Sequence, residues 1–211
     1  MSGGLFRYSA FGLILRSTER LPMLPVAATA AAPDIVVRDL PIPDIPDQAM
    51  PVKQHAWVAG GQTWLRLPNG DRFWIANGSE IGIEPAQGQR TADWYFNLLG
   101  VAMMCLLTQR GLLPLHGCAF VHDGVARLVL GRSGAGKSTL AVWLDQNGYR
   151  VLGDDLCVLK VNLDGDIRVL PAYPQAKLAP SPLVSVVPVD MQVGRRNKSF
   201  VALRDNSSHG S

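Results

Sequence analysis

Gly131-Arg132-Ser133-Gly134-Ala135-Gly136-Lys137-Ser138 follows the pattern G-x-x-x-x-G-K-[ST], and an acidic pair, Asp154-Asp155, lies downstream of it. Chemistry dictates each residue type in such a loop. Glycines let successive backbone N–H groups turn inward around phosphate oxygens, the lysine reaches the outer phosphates, and the hydroxyl of Ser138 is placed for Mg²⁺. Gly131, Ser133, Gly134, Ala135, Gly136, Lys137, Ser138 and Thr139 are therefore the candidate nucleotide-phosphate ligands. Thr139 would contribute its backbone N–H or its hydroxyl to the α-phosphate. Arg132 reads equally well as a phosphate contact and as an exposed loop residue.

Phosphoryl transfer asks a protein mainly to position groups and neutralise charge. One carboxylate of Asp154-Asp155 can hold Mg²⁺ opposite Ser138, and the other can accept the proton of an attacking hydroxyl. Adjacent residues of an extended segment point to opposite sides, so two neighbouring acids can serve both needs. His116, in the strand expected before the loop strand, can interact with the acidic pair or with the transferred phosphate. As a lone histidine it also has an ordinary structural reading.

The elements that must position these groups are legible around them. Ala126 to Leu130 reads as a strand entering the loop, and Ser138 to Leu144 as a helix leaving it, stopped at Asn147-Gly148. Leu115 to Val121 and Val125 to Leu130 read as paired strands joined at Asp123-Gly124. Tyr149 to Leu152, Leu156 to Val161 and Ile167 to Leu170 read as further strands. From Pro171 onward the chain is Pro-rich, then polar, with little expected to complete a sheet.

Upstream, residues 1–90 read as a β-rich subdomain. Leu5 to Leu15 is expected to be one strand, and Ala27 to Asp47 a connector holding the short apolar stretch Ile35-Val36-Val37. Hairpin strands follow at Gln54 to Val58, Thr63 to Leu67, Arg72 to Ala76 and Glu80 to Glu84, with Asn69-Gly70 and Asn77-Gly78 as turns. The expected product is a small antiparallel sheet. Leu65, Leu67, Phe73 and Ile75 face its core, and Trp64 and Trp74 face a partly covered second side. Residues 91–112 form a connector: Thr91 to Arg110 reads as one helix, nearly apolar all round from Leu98, and so is expected to be buried between two subdomains. Residues 113–203 carry the chemistry, and 204–211 are a polar tail.

With 211 residues and a net charge of +3, the chain has room for a real core and no concentrated basic surface. The small cluster Arg195, Arg196, Lys198 reads as a solvated loop, so nucleic acid is not an expected partner. Cys105, Cys118 and Cys157 are spaced too widely for a zinc knuckle and lie in apolar runs, as buried free thiols do. Met1 to Arg16 lacks a signal-peptide layout and Leu98 to Leu107 is too short to span a bilayer, so the expectation is a cytoplasmic protein without a membrane partner.

His116-Gly117, the loop and Gly153-Asp154-Asp155, taken with their spacing, resemble the catalytic domain of the HPr kinase/phosphorylase family. The hairpins, Arg110 to His116, and Pro171-Ala172-Tyr173-Pro174-Gln175-Ala176-Lys177-Leu178 resemble its shorter relatives from peptide-modification gene clusters, among them kinases of lasso-peptide precursors. The resemblance implies an α/β fold in which a nucleotide-binding P-loop domain, phosphoenolpyruvate-carboxykinase-like, follows the small antiparallel β-rich subdomain. It implies a serine kinase using ATP and Mg²⁺ on a hydroxyl of a peptide or small protein, and a homo-oligomer. Carried onto matching positions, Asp154 is the general base, Asp155 a Mg²⁺-associated acid beside Ser138, His116 a partner of the base, and Lys137 a phosphate ligand.

The family's further acidic-and-Arg segment has no counterpart at Lys177-Leu178-Ala179-Pro180-Ser181, so neither a phosphorylase reaction nor HPr as substrate is expected. Lys177 is a candidate phosphate or substrate contact by position. A P-loop NTPase and a non-catalytic nucleotide-binding module are the alternative readings.

Overall fold

A computed structural model describes residues 5–178 and 199–204. Arg195, Arg196, Lys198, Ala179, Pro180, Ser181 and the polar tail from 205 lie outside the described residues. The fold is mixed α/β and dominated by strands. Among the described residues no helix is long and apolar enough to cross a membrane. The chain divides into two compact units, the second beginning at Leu112 and also including Ala10–Gly12 and Met23–Pro25.

The first unit is built on eight strands: β1 (Phe6–Ala10), β2 (Leu13–Ser17), β3 (Ile35–Asp39), β4 (Met50–Lys53), β5 (Ala56–Ala59), β6 (Gln62–Arg66), β7 (Arg72–Ala76) and β8 (Glu80–Glu84). They form one sheet in the order β1-β2-β3-β8-β7-β6-β5-β4. Three expectations are corrected here. The segment Leu5 to Leu15 is two strands, because Phe11 and Gly12 both take positive φ, 57° and 71°, and so turn the chain. The connector 27–47 contains β3, which pairs in parallel with both β2 and β8. The sheet is consequently larger than expected and mixed rather than antiparallel. Parallel neighbours are remote in sequence, and no local turn signal announces them.

The hairpin register explains both faces. Leu65 stands opposite Phe73 and Phe73 opposite Ile83, while Ile75 stands opposite Ile81, and all five side chains are buried. On the other face Trp57, Trp64 and Trp74 fall in one cross-strand row. The segment after β3 covers part of that row, since Trp64 Nε1 donates to the Pro43 carbonyl at 3.1 Å and the ring is 3% exposed.

Residues 92–109 are helical, in three pieces: α1 (Ala92–Asn97), a π-helical segment Leu98–Ala102, and α2 (Met103–Gln109). The Thr91 side chain caps the start by accepting from the Trp94 amide at 3.3 Å. Trp94, Leu98, Ala102 and Leu106 are fully buried, and the helix falls within the first unit, packed on β7. Gln109 fastens its end, accepting from the Gly78 amide at 2.9 Å and donating to Thr63 Oγ1 and the Ile75 carbonyl.

The second unit comprises β9 (Leu113–Leu115), β10 (Gly117–His122), β11 (Val125–Leu130), α3 (Lys137–Gln146), β12 (Arg150–Asp154), β13 (Cys157–Val161), β14 (Ile167–Leu170), β15 (Gln175–Leu178) and β16 (Ser199–Ala202). The strands make three small sheets, β11-β10-β12, β14-β13-β9 and β15-β16. The last of these corrects the expectation that little after Pro171 completes a sheet. Its signal is alternation. Ala176 and Leu178 are apolar and bury with Val201, Leu203 and Val142 of α3, while Gln175 and Lys177 occupy the intervening positions. Across α3, Ala141 and Leu144 bury with Cys118.

Both β11 and β12 are antiparallel to β10, so they run in the same direction on either side of it. The ends of β11 and β12 therefore fall at the same edge as the start of β10, where Gly117 pairs with Leu130 and Cys118 with Asp154. Gly117 is required there, because a Cβ would lie 2.9 Å from the Val129 carbonyl oxygen and 2.7 Å from the Leu130 side chain. Gly117→Val is expected to lower stability by about 1–3 kcal/mol through this overlap. Urea denaturation checks it, and an unchanged midpoint would show that the backbone yields freely.

Candidate functional site

Leu130 delivers the chain directly into the loop. Residues 131–136 are exposed, whereas Lys137, the first residue of α3, is 7% exposed. Gly134 and Gly136 hold φ near 88° and 86°, left-handed values that side chains resist, and these bends turn the backbone into the helix start. Lys137 folds back over the loop, its Nζ donating to the carbonyls of Gly131 at 2.7 Å and Arg132 at 3.0 Å. Ser138 and Thr139 follow in the first turn, where helix geometry aims backbone N–H groups outward and favours anions.

The acidic pair sits at the opposite flank of β10. Asp154 ends β12 and is 3% exposed. Its Oδ2 accepts from the Lys177 backbone amide at 3.1 Å, and its Oδ1 is buried with no hydrogen-bond partner among the described residues. Burial raises the Asp154 carboxyl above its ordinary range, while hydrogen bonds from the Ser138 side chain and the Lys177 amide pull the other way. The loop's hydroxyl thus meets Asp154, whereas the resemblance implies Asp155 beside Ser138.

Asp155 has different surroundings. Its φ is 69°, a left-handed value that aspartate tolerates better than most residues. Its Oδ2 accepts from Lys177 Nζ at 2.7 Å, and its Oδ1 lies 3.2 Å from His116 Nδ1. The same imidazole nitrogen is 3.0 Å from the Asp155 carbonyl oxygen. His116 is therefore tied to the second acid of the pair.

The local fold explains how these groups meet. Leu115 pairs with Cys157, and Cys118 with Asp154, so one antiparallel ladder continues from β9–β13 into β10–β12. It is broken at His116-Gly117 on one strand and Asp155-Leu156 on the other. Both chain segments pass from one sheet to another at that break, and the released side chains of His116 and Asp155 meet across it.

Position alone marks Lys177 in the sequence, and nothing there marks Tyr173. Lys177 bonds both acids, one through its main chain and one through its ammonium, and its Nζ lies 5.9 Å from the Phe200 ring centroid. Tyr173 is buried, and its hydroxyl is pushed upward in pKa by burial, with the charges of Asp155 and Asp154 adding to that rise. The alternation that marks β15 is the signal that identifies Lys177 as facing away from the apolar core.

A divalent cation fits the surroundings of Asp154. Oδ1 is a buried carboxyl oxygen without a hydrogen-bond partner among the described residues, next to a hydroxyl, and such hard oxygen donors suit Mg²⁺. Among the described residues no group of three or more His, Cys, Asp or Glu side chains is arranged as a complete metal cage. Mg²⁺ is ordinarily held by one or two carboxylates with phosphates and water.

Two measurements test these electrostatics. In the folded chain Asp154 holds its proton more tightly than in the unfolded chain, so its carboxylate opposes folding at neutral pH. The opposition is full above the raised folded pKa and fades as pH falls through it toward the ordinary value of 3.8. Asp154→Asn is expected to melt higher than the parent at neutral pH without nucleotide or metal, by on the order of 1 kcal/mol, with the gap closing on acidification. A less stable variant at neutral pH would contradict this. The thiols of Cys118 and Cys157 are buried and pushed up to about 12 by that burial. Neither is expected to react with iodoacetamide at neutral pH until denaturant is added, as peptide mass mapping would show. No protein-family model matches the chain and no curated protein does.

Proposed function

We propose that the chain is an ATP- and Mg²⁺-dependent kinase of the HPr-kinase-related type, phosphorylating a serine or other hydroxyl of a peptide or small protein. A lasso-peptide precursor is the substrate class suggested by the sequence resemblance. The observation that carries the reading is the convergence, at one edge of β11-β10-β12, of a glycine loop, the Ser138–Asp154 pair and the Asp155–His116 pair. A phosphate site alone needs the loop; a hydroxyl acceptor needs, in addition, a group that takes a proton beside it.

The loop amides and Lys137 receive the outer phosphates of ATP. Bound Mg²⁺ would neutralise charge on those phosphates, and Ser138 and Asp154 are the residues suited to hold it. The resemblance divides the acids the other way, with Asp154 as base and Asp155 toward the metal. Their surroundings support the exchange: Asp154 has the unpartnered buried oxygen, whereas Asp155 is engaged by Lys177 and His116. In the transfer, the acceptor oxygen forms a bond to the γ-phosphorus as its bond to the β,γ-bridging oxygen breaks. ADP leaves, and the hydroxyl proton passes to the protein.

The test is incubation of the full chain with γ-labelled ATP, Mg²⁺ and the short peptides encoded beside its gene. Label is expected on a peptide hydroxyl. Lys137→Ala is expected to abolish it, and Asp154→Asn to reduce it by about 10²-fold or more. Nucleotide binding with phosphate release at the same rate whether or not peptide is added would overturn the kinase reading in favour of an NTPase.

A further inference from the structure

Two acceptors meet one nitrogen at His116. Both the carbonyl oxygen and the Oδ1 of Asp155 lie within reach of Nδ1, at 3.0 and 3.2 Å, and the carbonyl can only accept a hydrogen. A neutral imidazole satisfies them only as the Nδ1–H tautomer. Its Nε2 then carries the lone pair, and no hydrogen bond engages Nε2 among the described residues. The His116 side chain is 45% exposed, so this lone pair is open to an incoming group. Asp155 in turn is fixed from behind. Lys177, with its side chain 7% exposed, donates to Asp155 Oδ2 at 2.7 Å, while Oδ1 lies 3.2 Å from the imidazole nitrogen.

We propose that His116 Nε2 is the atom that takes the acceptor's hydroxyl proton, with Asp155 setting its tautomer and Lys177 acting as the positioning residue for Asp155. This deepens the kinase reading and rests on it. As the acceptor oxygen bonds to the γ-phosphorus and ADP departs with the bridging oxygen, the O–H electron pair goes into the new P–O bond. The proton goes to Nε2, and the resulting imidazolium keeps its Nδ1–H on Asp155. The arrangement is a base oriented by a carboxylate, extended one residue further by an ammonium. Asp155's left-handed φ of 69° is part of the device, because it turns the carbonyl and the carboxylate of one residue toward the same nitrogen.

The tautomer can be read without any substrate. Long-range ¹H–¹⁵N correlation on the full chain labelled at histidine, at mildly alkaline pH where imidazoles are neutral, reports which nitrogen is protonated. The His116 signal is assigned by its loss in His116→Gln. The expected result is a protonated Nδ1 and a pyridine-like Nε2. A predominant Nε2–H tautomer would overturn the proposal. Lys177→Met is expected to shift His116 toward a tautomer mixture, and Lys177→Arg to retain the parent pattern. If Lys177→Met leaves the tautomer unchanged in a chain that melts cooperatively, the positioning role is lost. Should Lys177→Met fail to fold, the comparison falls to Lys177→Arg and to Asp155→Ala, which removes one acceptor and is expected to weaken the preference. Once a peptide acceptor is labelled, His116→Gln is expected to lower kcat by about 10²–10⁴-fold with ATP affinity unchanged. Retained kcat would exclude His116 as the base. A chain with the expected tautomer that labels no acceptor would sink the kinase reading and leave the assignment of the imidazole standing.

Discussion

One interrupted ladder organises the second unit. Backbone pairing runs from Leu115↔Cys157 to Cys118↔Asp154 without loss of register, but between those points each strand leaves its sheet. A continuous ladder would project His116 and its neighbours to alternate faces and bind their main chains to each other. The break frees the Asp155 carbonyl to accept from an imidazole instead of a strand partner. It also lets β10 begin where β11 and β12 both finish, so loop and acids share one edge. Close approach at Gly117 is what this crowding demands.

The helix α3 links that edge to the rest of the unit. One side buries against Cys118, and the other meets the β15–β16 strand pair through Val142. The strand pair has a second task, for its apolar positions bury against α3 while Lys177 reaches back to both acids. A segment far along the chain therefore supplies the main-chain donor for Asp154 and the ammonium for Asp155. Packing and electrostatics at the site are set by the same four-residue strand, and its alternation makes both possible.

Much of this is legible in the residues. The glycine loop, its entering strand, its departing helix and the short strands of 150–170 follow from local signals, as do the hairpins with Asn-Gly turns. Which of the two acids meets Ser138 is not legible in the loop pattern. What escapes is non-local. Nothing near Val36 says that it pairs in parallel with strands on both sides, and the π-helical segment inside 92–109 leaves no mark in an apolar run. The coupling of His116 to Asp155 rather than Asp154 depends on where a ladder breaks, which spacing alone does not disclose. The role of Lys177 becomes readable only once β15 is in place.

On the proposed function Lys137 carries a consequence for selectivity, because it would act by exchange. Its ammonium donates to two carbonyls of its own loop, so any anion that recruits it must outcompete Gly131 and Arg132 for those protons. Weakly basic oxygens, such as those of a sugar or a single ester, gain little from such a trade. Adjacent phosphate groups offer far greater charge density, so on the proposed function the loop would discriminate for polyanions before any base or ribose is touched.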